Sequence, residues 1–113
     1  MYKSEQIFAE ILRILYPKNF GGDIIMLHKI FYDLRNNFPD IMDCFLFEKR
    51  INPFCVTLDE LLFNFRLVGI LRLSMVDHRF FLIDQERLKK YPKNNKLFNL
   101  VKGFKELQKL GAS

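Results

Sequence analysis

The spacing of apolar residues changes once along this chain, and that change restricts the fold more than any other feature. Up to Phe65 the apolar residues recur at helical spacing, and from Ile70 they alternate. Leu71, Leu73 and Met75 are separated by Arg72 and Ser74, Val76-Asp77-His78 turns, and Arg79-Phe80-Phe81-Leu82-Ile83 returns before Asp84. A repeat of 3.6 lines one face of a helix, whereas alternation lines one face of a strand. The pattern predicts helices, then a compact hairpin, then more helix: a mainly α chain with a small β-hairpin, in the α+β class.

The helical part divides at its breakers. Residues 4–16 read as a first helix, with Ser4 as cap and Ile7, Ile11, Ile14 and Leu15 on one face, ended by Pro17 and Gly21-Gly22. Asp23 is placed to cap a second, striped by Ile24, Leu27, Phe31 and Leu34 and widened by Ile30. After Asn36-Asn37, Pro39 suits the first turn of a short third helix carrying Ile41, Met42 and Phe45. Asn52-Pro53 marks a turn, and Thr57-Leu58-Asp59-Glu60 has the form of a capping box. The helix behind it carries Leu58, Leu61, Leu62 and Phe65, and Gly69 is placed to end it. Beyond Tyr91-Pro92, residues 96–110 read as one last amphipathic helix, with Leu97, Leu100, Val101, Phe104, Leu107 and Leu110 on one side and lysines on the other.

Charge is distributed unevenly. The chain carries a net +5 over 113 residues. Residues 87–113 hold eight basic residues and one acid, Glu106, for a net +7, while residues 1–86 hold ten basic and twelve acidic residues, for a net −2. Such asymmetry suggests a surface for a polyanion or an acidic partner, or else a solvated lysine face on an ordinary helix. No apolar run reaches the roughly 18 residues that span a bilayer, so no membrane partner is expected. Glu5, Glu10 and Arg13 would interrupt the apolar stretch of a secretory signal, so the expected compartment is the cytoplasm. Cys44 and Cys55, in a reducing compartment and at a spacing foreign to zinc motifs, are expected to be buried or idle thiols.

The order of cap, helix, glycine, strand, turn and strand in residues 57–83, TLDELLFNFRLVGILRLSMVDHRFFLI, resembles the second half of a winged helix-turn-helix. With the preceding helices, the resemblance covers roughly residues 4–84. Within it, LDELLFNFRLVGIL is similar to the small winged-helix middle components of bacterial three-component ABC-ATPase systems. Together with HKIFYDL at residues 28–34, it also resembles Panacea-type antitoxin domains. These resemblances imply a winged-helix core over residues 1–92, with residues 93–113 as a basic amphipathic helix packed on it or appended to it. They also imply either duplex DNA recognition or assembly with a protein partner, because winged helices do both and fold alone does not choose.

As a DNA reader, the helix after Thr57 offers Asn64 and Arg66 to base edges, and the hairpin adds Arg72 and Arg79. Lys89, Lys90, Lys93, Lys96 and Lys102 are the expected phosphate contacts, with little sequence preference because lysine lacks the bidentate fork of arginine. Asp59 and Glu60 would repel phosphates on the same helix. Phe63 and Leu67, four residues apart, form a second apolar stripe suited to a partner or to packing on the C-terminal helix. Leu97, Leu100, Phe104 and Leu107 offer a homodimer interface under either reading. The expected function is therefore a DNA-binding regulator, with a protein-interaction subunit of a multi-component bacterial or phage-defence assembly as the alternative.

Enzyme chemistry is not expected. Asp40 with Asp43, and Asp59 with Glu60, sit where helix starts favour acids through the macrodipole. His28 reads as a residue on a partly buried helix face and His78 as an exposed turn residue. There is no Gly-rich phosphate loop, no metal-spaced histidine pair and no nucleophile motif. No metal, cofactor or small-molecule substrate is expected.

Overall fold

The computed structural model describes residues 2–16, 20–21, 24–48, 50–75 and 80–109. Helix α1 is Ser4–Leu15, strand β1 Phe20–Gly21, helix α2 Ile24–Asn37 and helix α3 Val56–Leu67. Strands β2 (Leu71–Leu73) and β3 (Phe80–Ile83) follow, then helices α4 (Gln85–Leu88) and α5 (Asn95–Val101), and a 3-10 turn, Lys105–Lys109. The described chain is mainly helical with a small antiparallel sheet, in strand order β1-β3-β2.

Helix α1 lies at the centre. Ile7, Phe8, Ala9, Ile11, Leu12 and Leu15 are all buried on it, and α3 and α5 both pack against it. Its cap lies one residue before the expected one. Lys3 occupies the cap position, and its backbone N–H donates to Gln6 Oε1 at 3.0 Å, leaving Ser4 as the first helical residue. Tyr16, preceding Pro17, takes the extended backbone (ψ 140°) that a proline imposes on the residue before it, and the helix stops there.

Glu10 on this helix is fully buried, and Arg13 answers it at 2.7 Å. Glu10 Oε2 also accepts the backbone N–H of Asn94 at 2.9 Å, while Arg13 Nη2 donates to the carbonyls of Leu88 and Tyr91. One carboxylate–guanidinium pair thus ties the segment leading into α5 to the centre of the molecule. Removing either partner would strand the other in the interior.

Four local expectations change. Residues 38–45 form hydrogen-bonded turns, with Met42 N–H donating to Phe38 O at 3.0 Å and Phe45 N–H to Met42 O at 3.1 Å, in place of a third helix. Met42 and Phe45 are nonetheless buried as their apolar character required. The capping box at Thr57 does not form. Helix α3 begins at Val56 with Cys55 at the cap position, so Thr57 lies inside the helix, and the Cys55 backbone N–H is held by His28 Nδ1 at 3.0 Å. The hairpin is shorter than its alternation, with Leu71 opposite Ile83 and Leu73 opposite Phe81, and β1 adds a third strand beside β3.

The last change concerns the C-terminal helix, which is broken. Asn94 caps α5 by accepting Leu97 N–H at 3.0 Å, the helix ends at Val101, and the chain resumes as a 3-10 turn at Lys105. A straight helix would present one stripe to one neighbour. The break lets α5 bury Leu97 and Val101 on α1, while Phe104 stacks on Phe38 at 4.3 Å and Leu107 enters the core beside α2. Asn37 Nδ2 donates to Glu106 Oε1 at 2.7 Å and holds the 3-10 turn to the end of α2. Tertiary burial has overridden local helix propensity.

Helix α3 ends as Gly69 predicted. The Ile70 N–H donates to Phe65 O at 2.9 Å and the Gly69 N–H to Arg66 O at 3.0 Å, with Gly69 at φ +82°. These two bonds and the left-handed glycine make a Schellman ending. It turns the chain directly into β2, which packs beside α3. Asp23, His78, Arg79 and Leu110 lie outside the described residues.

Candidate interaction face on helix α3

Helix α3 spends Leu58, Leu61, Leu62 and Phe65 on the core, so its opposite face is presented outward. That face is not polar throughout. Phe63 is 65% exposed and Leu67 73%, with Val56 at its start and Val68 just past its end also exposed. Asp59, Glu60, Asn64 and Arg66 share the exposed side. Phe63 and Leu67 therefore do not pack on the C-terminal segment, which is one of the two outcomes their spacing allowed. Clustered exposed apolar groups on a small domain mark contact surfaces more often than isolated ones do.

A groove of about 410 Å³ runs between α3 and β2, lined by Phe63, Arg66, Leu67, Leu71, Arg72 and Leu73. The Arg66 guanidinium lies over the Phe81 ring at 5.8 Å, so its charge sits at the groove edge. Along α3 the face thus runs from acids at its start, through an apolar middle, to cationic groups at its end. The sequence had pointed to Asn64, Arg66, Arg72, Phe63 and Leu67, and all five are exposed or at this groove.

The lysines lie elsewhere. Lys89, Lys90, Lys93, Lys96 and Lys102 are all exposed. Lys89 pairs with Glu86 at 3.1 Å, and the Lys93 ammonium sits 4.2 Å from the Phe98 ring centre. Lys89 and Lys93 rim a separate cleft of about 370 Å³ with Arg13, Tyr16, Tyr91 and Phe98, which shares no residue with the α3 groove. Of the four residues expected to form a homodimer interface, Leu97, Phe104 and Leu107 are buried in the chain's own core, and Leu100 alone is exposed. A dimer through that stripe would require the C-terminal segment to leave the core. The expectation is corrected by the bend that internalises these side chains.

A second apolar cleft, missed in the sequence, is formed by Ile24, Ile25, Ile51, Pro53 and Phe54 around His28. Its loop is closed by the Glu48–Phe54 bridge, which pushes Ile51 out into solvent. The one available signal was an isoleucine beside the Asn52-Pro53 turn, where nothing local could bury it. His28 stacks on Phe54 at 4.7 Å and is itself 1% exposed. Burial lowers its pKa below the ordinary 6.5, and the Asp59 carboxylate opposes that shift. A neutral ring follows, with Nδ1 bare to accept from Cys55 and the proton on Nε2.

Burial also raises the pKa of both cysteine thiols, so each is held as the unreactive thiol at neutral pH. Among the described residues no group of three or more His, Cys, Asp or Glu side chains is placed to hold a metal ion. No described helix is long and apolar enough to cross a membrane. No protein-family model, curated protein or solved structure matches this chain.

Proposed function

We propose that this chain is a non-catalytic, winged-helix interaction subunit that docks a protein through the outer face of α3. The observation that carries the reading is the exposure of Phe63 and Leu67 beside Asp59 and Glu60. A major-groove reader places donors where this face places phenyl, isobutyl and carboxylate groups. The element order α1-β1-α2-α3-β2-β3 and strand order β1-β3-β2 support the winged-helix reading. In one respect the chain departs from a tight helix-turn-helix: 18 residues, 38–55, separate α2 from α3. That excursion lies ahead of the α3 N-terminus, the end a DNA reader would lead with.

The test is co-purification from native cells of the tagged full chain and of its Phe63→Asp variant, with circular dichroism to verify the fold. A stoichiometric protein recovered with the unaltered chain and lost with Phe63→Asp is the expected result. Retention of that protein by a folded Phe63→Asp variant would overturn the docking face.

One observation favours a second reading, a DNA-binding regulator: the five exposed lysines between residues 89 and 102, with Arg66 and Arg72 at the α3 groove. Random duplex DNA titrated by fluorescence anisotropy at several salt concentrations distinguishes the two. Regulator activity predicts steeply salt-dependent binding, reduced in slope when Lys90, Lys96 and Lys102 become glutamine. Substitution is the informative variant, because truncation before α5 would remove Leu97, Val101, Phe104 and Leu107 from the core.

A further inference from the structure

We infer that the protein docked on α3 is a second copy of this chain, with the two α3 helices packed antiparallel about a two-fold axis near Phe63. This rests on the interaction reading above and names its partner. The case is made by the charge sequence of the face. Seven residues make almost two helical turns, so Asp59 and Arg66 project along one edge of α3, and Glu60 and Leu67 along the other. Phe63 lies between them on the midline, with Val56 two turns before it. All six residues are exposed.

A two-fold axis perpendicular to the helices reverses their direction but keeps each edge on its own side. Asp59 of one copy then faces Arg66 of the other, and the same contact recurs by symmetry, as an isologous interface requires. The offset along the axis is no more than one residue, about 1.5 Å. The two Phe63 rings meet at the centre. On the other edge, Leu67 of one copy falls between Val56 and Glu60 of its mate, against the methylenes of Glu60. A parallel two-fold would instead swap the edges, setting Asp59 of one copy against Glu60 of the other and Arg66 against Leu67, so that acids meet acids and neither arginine meets a carboxylate. The face is thus complementary to itself in one orientation only. No other exposed surface described above combines apolar anchors with both signs of charge at matched spacing.

One helix face of 12 residues, together with part of the β2 edge, is small for a stable dimer, which typically buries roughly 800 Å² per partner. The association is therefore expected in the micromolar range and readily reversible. The experiment is sedimentation equilibrium of the full chain from low micromolar to several hundred micromolar. It uses the unaltered protein, Phe63→Asp, Asp59→Arg, Arg66→Asp and the double variant Asp59→Arg with Arg66→Asp. The unaltered chain should dimerise and Phe63→Asp should stay monomeric. Each single reversal should weaken dimerisation by at least about 10-fold, since it sets like charges opposite each other twice per interface. The double variant should recover it, which a misfolded protein would not do. A monomeric unaltered chain, or failure of the double variant to recover, overturns the inference. If the unaltered chain is monomeric but still loses a different protein on Phe63→Asp substitution, the second copy is excluded and the interaction reading survives.

Discussion

Helix α3 and the C-terminal segment were both written as amphipathic helices with a surplus of apolar side chains, yet they dispose of that surplus in opposite ways. The C-terminal segment bends. By ending α5 at Val101 and restarting as a 3-10 turn, it turns Leu97, Phe104 and Leu107 inward against two different helices. Helix α3 stays straight over Val56–Leu67, buries one stripe and leaves Phe63 and Leu67 outside. An apolar stripe in a sequence therefore reports only that the residues need a neighbour. Whether the neighbour is the same chain depends on whether the backbone can bend to bring it in.

The sharpest way to break this comparison is to truncate one phenylalanine from each region. Phe104→Ala empties a buried site stacked on Phe38 and should destabilise the fold by about 3–5 kcal/mol. Phe63→Ala should change the unfolding free energy of the monomer by less than about 0.5 kcal/mol. Urea denaturation at a concentration where the chain is monomeric measures both. Equal losses would mean that the two regions do not differ as described.

The glycines that follow the two helices provide a smaller contrast. Gly69 sits at φ +82°, where an L side chain costs about 1–2 kcal/mol, and a Cβ there would press on the Arg87 guanidinium that donates to Val68 O. Gly103 has no such conformation, and a Cβ there would meet Leu100 O at an ordinary 3.6 Å. Gly69→Ala should lower the melting temperature, whereas Gly103→Ala should leave it unchanged or raise it slightly. A stabilising Gly69→Ala would count against the Schellman ending.

The smallest expected effect is at the start of α3. His28 holds the Cys55 N–H only while Nδ1 is unprotonated, and burial lowers its pKa in the folded chain. The unfolded chain takes up a proton near the ordinary 6.5 and the folded chain at lower pH. Below about 6.5 the unfolded state therefore binds more protons, and stability falls as pH drops toward the folded value. Thermal unfolding between pH 7.5 and 5 should show a steeper decline for the unaltered chain than for His28→Asn, which keeps an acceptor near Nδ1 without titrating. Parallel curves would remove His28 from the account of how α3 is anchored.

Features that depend on spacing within one or two turns were legible in advance. They include the cores of α1 and α3, that of α2 from Leu27 onward (Ile24, expected in the same stripe, is exposed in the cleft beside His28), the change to alternation after Ile70, and the glycine ending at residue 69. The exposure of the five lysines was legible from their charge alone, whatever the local structure. What misled was local evidence with a distant competitor. Thr57-Leu58-Asp59-Glu60 has the letters of a capping box, but the helix starts at Val56, and the N–H of Cys55 at its cap is held by His28, 27 residues away. Gly21 reads locally only as a helix breaker, although Phe20–Gly21 pairs with a strand some 60 residues later. For the candidate site, the identity of the exposed residues on α3 was readable from the pattern. Their exposure was not, because Phe63 and Leu67 had a plausible internal partner in the C-terminal leucines.

By itself the amino-acid order determined where helices and strands can form, because backbone preference and side-chain periodicity act within a few residues. Only the tertiary structure decided which apolar stripe would be internal. The fully buried Glu10 fastens the Asn94 backbone across 84 positions of sequence and brings α5 onto α1. With Leu97, Phe104 and Leu107 turned inward against α1 and α2, no described segment of the chain covers the outer face of α3.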